Sequence, residues 1–159
     1  MDFEYLSDRP EDVPLIIQWW HTVWGDRMGP DMDKLVQVLA SSLSKTELPI
    51  HILATSDGNP IGTAALKLHE QADLFPDFQY WLGSVFVASP NRGGGVASAL
   101  TMQVVELALQ MKLPHLYLQT ADLSGGLYAQ LGWEPIRVFE HKQQQALLML
   151  KKLSNTQAD

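Results

Sequence analysis

The sequence predicts a mixed α/β fold in which helices lie beside a central sheet. Segments with helical and strand periodicity alternate in the middle of the chain, and hairpin signals flank them. The 159 residues are expected to form one domain, residues 1–153, that is long enough to bury a hydrophobic core. A short polar tail is expected over residues 154–159.

The first part of the chain predicts a strand over residues 3–6, followed by two helices. The first helix is expected from Asp8 or Arg9 to Trp24, after which Gly25 and the pair Gly29-Pro30 break it. Its apolar face consists of Leu15, Trp19 and Val23. Asp31 is expected to cap the second helix. The apolar stripe of that helix consists of Leu35, Val38, Leu39 and Leu43.

The remaining chain predicts six strands and two helices. The strands are expected at residues 50–55, 61–68, 80–87, 115–120, 136–139 and 146–150. A turn at residues 57–59 joins the first two, and residues 70–78 form a loop. A long helix begins at Val96, has Lys112 in its last turn and ends at Pro114; a short helix runs from Gly125 or Gly126 to Leu131. One face of the long helix consists of Val96, Leu100, Val104, Leu107 and Met111, with Thr101 off the stripe.

Residues 85–97 are the most informative segment, because a buried strand passes through three glycines into a helix. Glycine allows close approach of the backbone to a ligand, and a helix N-terminus directs unpaired N–H groups and a positive dipole end at the same place. With Arg92 beside it, this turn suits a phosphate or pyrophosphate. A dinucleotide fingerprint does not fit, because Ser98 stands where the third glycine belongs, and no P-loop string is present. An ordinary glycine-rich turn remains the alternative.

Composition narrows the classes of partner. With 11 basic and 18 acidic residues the formal charge is −7, which disfavours nucleic acid and anionic membranes and favours a cationic small molecule or basic peptide end. Without cysteine, the chain has no disulfide, thiolate metal site or cysteine nucleophile, and no metal motif is present. Neither a signal peptide nor a membrane-spanning segment is indicated, so the expected location is the cytoplasm.

Two motifs together resemble the GCN5-related N-acetyltransferase (GNAT) superfamily. The coenzyme A motif R/Q-x-x-G-x-G/A is matched by Arg92-Gly93-Gly94-Gly95-Val96-Ala97. The later family phrase "fYekLGF" is matched by Leu127-Tyr128-Ala129-Gln130-Leu131-Gly132-Trp133. The resemblance implies the acyl-CoA N-acyltransferase fold, with a mostly antiparallel sheet that splays at the acetyl-CoA site and helices on both faces.

The resemblance also implies roles for individual residues. Backbone groups of Val85 and Val87 would bind the pantetheine arm, and a backbone N–H near Phe86 or Val87 would polarise the thioester carbonyl. The N–H groups from Gly93 to Ala97, with Arg92, would hold the pyrophosphate. Tyr128 would protonate the departing thiolate. The chain departs from the family pattern in three ways: Pro90 is displaced by one residue, Ala97 replaces a glycine, and an upstream asparagine is missing near Asp122.

The sequence contains fewer indications of the residues that would bind and deprotonate the acceptor amine. The resemblance implies that Glu70 and His69, at the end of the third strand, are the nearest candidates for a general base. Since adjacent strand residues point to opposite faces, one of them at most is expected to face the site. Solvated loop-edge residues are the alternative interpretation for both. Loop acids that would favour a cationic amine are Asp26, Asp73 and Asp77. The resemblance implies that the first helix helps to form the wall of the acceptor pocket. Trp19 on this helix is expected to pack in the core, whereas Trp20 and Trp24 either pack in the core or line that pocket.

The resulting hypothesis is an acetyl-CoA-dependent N-acetyltransferase that acts on a primary amine of a small molecule or peptide by direct attack in a ternary complex. Tyr128 and Glu70 are its catalytic candidates. Two alternatives stay open: a non-catalytic acyl-CoA-binding sensor or partner-binding module, and a binder of another phosphate ligand such as a nucleotide. A homodimer is common among similar proteins.

Overall fold

A computed structural model describes residues 1–153, so the predicted polar tail lies outside the described residues. The strands are β1 Asp2–Tyr5, β2 Ile50–Ser56, β3 Asn59–Lys67, β4 Trp81–Val87, β5 His115–Thr120, β6 Glu134–His141 and β7 Gln144–Lys152. The helices are α1 Val13–Met28, α2 Met32–Ser41, α3 Val96–Gln110 and α4 Gly126–Gln130. Short 3₁₀ turns occupy Leu6–Asp8, Pro10–Asp12 and Ser89–Asn91.

The strands are hydrogen-bonded in the order β1-β2-β3-β4-β5-β7-β6. β1 with β2, β5 with β7 and β6 with β7 are antiparallel, whereas β4 and β5 are parallel with Trp81 opposite Tyr117. The predicted mixed α/β fold with a mostly antiparallel sheet is confirmed. Among residues 1–153, no helix combines the length and apolar character that crossing a membrane requires.

Backbone contacts divide the chain into two compact units, each built from two segments. Unit 1 contains Met1–Ala65 and Ser84–Leu100, and unit 2 contains Leu66–Gly83 and the chain from Thr101 onward. The expectation that residues 1–153 form one domain stays a prediction.

The core of unit 1 packs α1 against β2, β4 and the first 3₁₀ turn. Its buried members are Leu6, Val13, Ile16, Ile17, Trp20, Leu39, Leu53 and Phe86. The predicted buried face of α1 is wrong: Val23 is 55% exposed, and the buried face lies about one residue around the helix. Because α1 has apolar residues on most of its circumference, periodicity alone allowed more than one face. The predicted end at Trp24 and break at Gly25 are also wrong, since α1 only kinks at Trp24 and continues to Met28. The predicted break at Gly29-Pro30 is confirmed, because Gly29 caps the helix with φ +86°.

α2 begins as predicted, because the Asp31 carboxylate accepts a hydrogen bond from the backbone N–H of Lys34 at 3.1 Å. Its predicted stripe is wrong at Val38, which is 59% exposed. The helix also ends at Ser41, before Leu43.

The stripe of α3 is confirmed for Val96, Leu100, Val104 and Leu107, all of which are buried. Thr101 is buried as well, contrary to prediction. The helix ends earlier than Pro114, at a left-handed Lys112 with φ +60°. The N–H of Leu113 donates to the Ala108 carbonyl and that of Lys112 to the Leu109 carbonyl, both at 3.0 Å, which is a Schellman ending.

Unit 2 contains an aromatic core. Phe75, Trp81 and Leu148 are buried in it, and Phe78, Tyr117 and Phe139 pack against them. The loop predicted over residues 70–78 is therefore irregular but anchored, with Phe75 only 5% exposed and the Trp81 indole N–H donating to the Phe78 carbonyl at 2.6 Å. β6 and β7 are longer than predicted and meet at a turn with positive φ at Lys142 and Gln143.

Candidate functional site

β4 contains a backbone irregularity just before the predicted coenzyme-binding residues. Ser84 has φ +54° in the interior of the strand, a conformation that L-residues rarely adopt. An αL residue inside a strand interrupts the regular pleat in the way that a β-bulge does. Residues Val85 to Val87 follow directly, and the Phe86 side chain is 8% exposed.

Phe86 holds the end of β4 against α1. Its ring stacks on Trp19 with centroids 5.4 Å apart and an interplanar angle of 19°. Trp20 is buried in the same cluster, whereas Trp19 and Trp24 are partly buried against it. Sequence analysis did not identify the contact between Trp19 and Phe86, because the two residues lie far apart in the chain.

Arg92 is folded back toward β4. Its Nε donates to the carbonyl of Val87 at 2.9 Å, and its guanidinium carbon lies 5.3 Å from the centroid of the Phe86 ring. Arginine carries four further N–H donors on its terminal nitrogens, which a ligand can use. The backbone contact therefore orients a cation at the start of the glycine turn.

The glycine turn presents open backbone. Gly93 and Gly95 have φ of +82° and +85°, and a β-carbon built on either would meet nothing within 4 Å. Gly94 differs, since its φ lies outside the left-handed region and its β-carbon would lie 3.7 Å from the Asn91 carbonyl oxygen. Buried Val96 anchors the first turn of α3 behind this surface. Open backbone, a helix N-terminus and an arginine together fit a phosphate group, as predicted for this turn.

Position 62 on β3 also requires glycine, which the sequence did not indicate. A β-carbon there would lie 3.0 Å from the Phe86 carbonyl oxygen and from Leu100 Cδ1, and 3.1 Å from Val96 Cγ1. Consistent with this closeness, the N–H of Ala88 donates to the Ile61 carbonyl at 2.9 Å. The absent side chain lets β3, β4 and the start of α3 pack closely beneath the turn.

Tyr128 lies on α4 in unit 2, where it is half-buried and packs edge-on against Trp133 with centroids 6.3 Å apart. The Trp133 N–H donates to the Tyr128 carbonyl at 3.0 Å. Burial raises the pKa of the Tyr128 hydroxyl above its ordinary value near 10.0. At neutral pH the group therefore holds a proton that it can donate.

Asp122 organises the approach to α4. Its Oδ1 accepts from the N–H and hydroxyl of Ser124 at 3.0 and 2.6 Å, and these bonds lower the pKa of its carboxyl. A β-carbon at Gly126, where φ is +50°, would lie 2.7 Å from Asp122 Oδ2. Asp122 thus shapes the turn before α4.

Glu70 also lies in unit 2, just beyond the end of β3. Its Oε2 lies 3.3 Å from Lys67 Nζ, and the Glu70 side chain is 20% exposed. The carboxylate lies against Gly83 of β4, leaving no room there for a β-carbon. Neighbouring His69 is half-buried, and its Nδ1 has no hydrogen-bond partner within residues 1–153. The Glu70 carboxylate is therefore paired and partly buried.

A concavity of about 470 Å³ lies at the C-terminal end of α1. His21 closes one side, with its ring 3.0 Å from a β-carbon built on Gly25 and its Nε2 2.9 Å from the Gly29 carbonyl oxygen. Asp26 also lines it. Asp26, Asp73 and Asp77 are all exposed. Within residues 1–153, no group of three or more acidic or histidine side chains could hold a metal ion.

The structure thus groups the predicted residues by unit. The coenzyme candidates Val85–Val87 and Arg92–Ala97 lie together in unit 1, and the catalytic candidates Glu70 and Tyr128 lie in unit 2.

Comparisons with known proteins identify the family. A family model described as "Acetyltransferase (GNAT) family" matches residues 15–133. No curated protein sequence matches the chain.

Solved structures share the fold at low identity. An aminoglycoside 6'-acetyltransferase type Ii is 14% identical with a TM-score of 0.76, covering 99% of this chain and 100% of its own. A ribosomal-protein-alanine N-acetyltransferase from Brucella melitensis is 18% identical with a TM-score of 0.76, covering 96% and 100%. An aminoglycoside 6'-N-acetyltransferase complexed with coenzyme A is 13% identical with a TM-score of 0.74, covering 99% and 100%. The family match spans most of the chain and includes both motifs, so this chain belongs to the GNAT family of acetyltransferases.

Proposed function

We propose that this chain is an N-acetyltransferase that transfers the acetyl group of acetyl-CoA to a primary amine. The observation that supports this most is the open backbone at Gly93 and Gly95 beside the oriented Arg92, in a chain of the GNAT family. The thioester of acetyl-CoA supplies the activated acetyl group.

The coenzyme-binding role falls to residues of unit 1. Backbone N–H groups from Gly93 to Ala97 and the terminal nitrogens of Arg92 bind the pyrophosphate. Backbone groups of Val85 and Val87 bind the pantetheine arm. Because Phe86 is buried and stacked on Trp19, the N–H groups near it are held rigidly, which suits them to polarise the thioester carbonyl.

The proton transfers fall to residues of unit 2. The Glu70 carboxylate accepts a proton from the acceptor amine, whose nitrogen forms a bond to the acetyl carbon as the carbon–sulfur bond breaks. The Tyr128 hydroxyl, which is protonated at neutral pH, donates its proton to the departing sulfur and regains one from the nitrogen that now carries the acetyl group. No covalent intermediate on the protein is required.

We infer that the acceptor is a cationic amine. The chain carries a formal charge of −7, and exposed Asp26 lines the concavity at the end of α1. The names of two structural neighbours specify acetylation of an aminoglycoside and of a protein alanine, and both acceptors are amines.

Calorimetric titration with acetyl-CoA tests the coenzyme role, with ATP and NAD as competing ligands. Arg92→Ala should weaken acetyl-CoA binding by roughly 10- to 100-fold, because charge-assisted hydrogen bonds are worth about 1.5–3 kcal/mol. Arg137→Ala is a matched control, since Arg137 lies 5.1 Å from the Phe75 ring centroid in unit 2 much as Arg92 lies over Phe86. Equal binding of ATP, or no effect of Arg92→Ala, would contradict the proposal.

Turnover is measured as thiol release with a panel of amines, and the protein contributes no thiol background because it lacks cysteine. Acetyl-CoA binding without turnover on any amine would favour the non-catalytic binding module instead.

A further inference from the structure

Gly83 of β4 provides space for the carboxylate of Glu70. A β-carbon built on Gly83 would overlap Glu70 Oε1 and lie 3.1 Å from Glu70 Cδ. The φ of Gly83 lies outside the left-handed region, so its backbone conformation does not require glycine. The need for glycine at position 83 therefore comes from the contact with Glu70 and Lys67.

Lys67 forms the second side of the same contact. Its Nζ lies 3.3 Å from Glu70 Oε2, and its Cδ would lie 3.2 Å from the β-carbon at Gly83. Lys67 and Glu70 side chains are 23% and 20% exposed, so both are held against the protein rather than extended into solvent. With Oε2 paired to the ammonium and Oε1 lying against Gly83, both oxygens of the carboxylate are held in place.

We propose that Gly83 and Lys67 are positioning residues that hold the Glu70 carboxylate in its proton-accepting position. This inference rests on the proposed role of Glu70 as the general base. Gly83 lets Oε1 lie directly against the strand, and the Lys67 ammonium holds the second oxygen. A shift of about 1 Å in a catalytic group can cost on the order of 10²-fold in rate.

Gly83→Ala tests the position of the carboxylate without removing it. Since the overlapping atoms are the far end of a flexible side chain, Glu70 can move aside and the fold is expected to survive. We expect kcat to fall by at least tenfold and on the order of 10²-fold, with acetyl-CoA affinity unchanged. In a Glu70→Gln background, Gly83→Ala should have no further effect on kcat, because the two changes disable the same group.

Lys67 is tested by substitution and rescue. Lys67→Met should lower kcat by at least tenfold with acetyl-CoA affinity unchanged, because the carboxylate loses the ammonium that holds its second oxygen. Lys67→Arg should restore kcat, and Lys67→Met should have no further effect in the Glu70→Gln background. Glu106→Gln, which neutralises an exposed carboxylate on α3, is the matched control and should leave kcat unchanged.

The outcomes separate this inference from the proposed function. A wild-type protein that neither binds acetyl-CoA nor acetylates an amine contradicts the function. An active enzyme whose Glu70→Gln variant keeps full kcat contradicts the proposed role of Glu70 and this inference with it, but not the acetyltransferase activity. A Gly83→Ala effect that is equally large in the Glu70→Gln background contradicts the inference alone. A crystal structure of Gly83→Ala with the carboxylate unmoved overturns it whatever the activity.

Discussion

An alanine scan of the three glycines at residues 93–95 separates backbone strain from steric contact. Gly93 and Gly95 have positive φ and open space around a built β-carbon, whereas Gly94 has neither the strained φ nor a closer contact than 3.7 Å. Alanine at Gly93 or Gly95 should thus incur conformational strain alone. At Gly94 it should be tolerated.

The magnitude follows from the cost of the left-handed conformation, about 1–2 kcal/mol for a residue with a β-carbon. Each Gly→Ala change also restricts the unfolded chain, which stabilises by about 0.4–1 kcal/mol. That contribution is common to all three variants and cancels in their differences. Gly95→Ala should therefore be about 1–2 kcal/mol less stable than Gly94→Ala, a difference of roughly 2–8 °C in Tm for a chain of this size.

Urea denaturation measures the free energies of unfolding, and calorimetry measures acetyl-CoA affinity in the same variants. Because the β-carbons at Gly93 and Gly95 enter the open space proposed for the pyrophosphate, these variants should also bind at least tenfold more weakly. Gly94→Ala should keep its affinity, since its β-carbon faces Asn91. Equal stability of Gly94→Ala and Gly95→Ala would refute the assigned backbone conformation, and equal affinity of all three would refute the assigned ligand position.

Three further variants test residues around this turn and on α4. Tyr128→Phe should lower kcat on the order of 10²-fold at neutral pH, measured as thiol release. Burial raises the pKa of the Tyr128 hydroxyl, so the native state loses free energy of unfolding as the pH rises above 10 and the hydroxyl ionises. Urea denaturation at alkaline pH should therefore show a smaller loss of stability in Tyr128→Phe than in the wild-type protein. Gly62→Ala should destabilise by about 1–3 kcal/mol in urea, because its β-carbon meets the Phe86 carbonyl at 3.0 Å; a neutral change would contradict that close packing. Trp19→Leu keeps apolar area while removing the stack on Phe86, and should cost about 0.5–1.5 kcal/mol in urea, whereas no loss would mean that the stack contributes nothing.

Local features were predictable from the sequence because neighbouring residues determine them. The Asp31 cap, the loop over residues 70–78 and the strand–glycine–helix segment were all predicted within a residue or two. Helix faces were less predictable where apolar residues surround the helix. On α1, Trp20 and not Val23 is buried, since the choice of face depends on what β2 and β4 present to it.

Some residues of the candidate site were likewise predictable from the sequence, and others were not. The residues of the coenzyme motif are contiguous, so the glycine turn could be recognised from the sequence, and so could the second motif containing Tyr128. The roles of Gly62 and Gly83 and the contact between Trp19 and Phe86 were missed, because nothing near these residues in the sequence indicates what they contact.

The sequence by itself therefore determined the family of this protein and its glycine turn, and it named Tyr128 as the candidate acid. These depend on short motifs and on backbone conformations that glycine alone adopts readily. Only the tertiary structure decided that Arg92 folds onto Phe86, that Tyr128 has a raised pKa and that Glu70 lies against Gly83 beside Lys67. The physical reason is that packing, burial and charge pairing arise from residues distant in the chain, which become neighbours only when it folds.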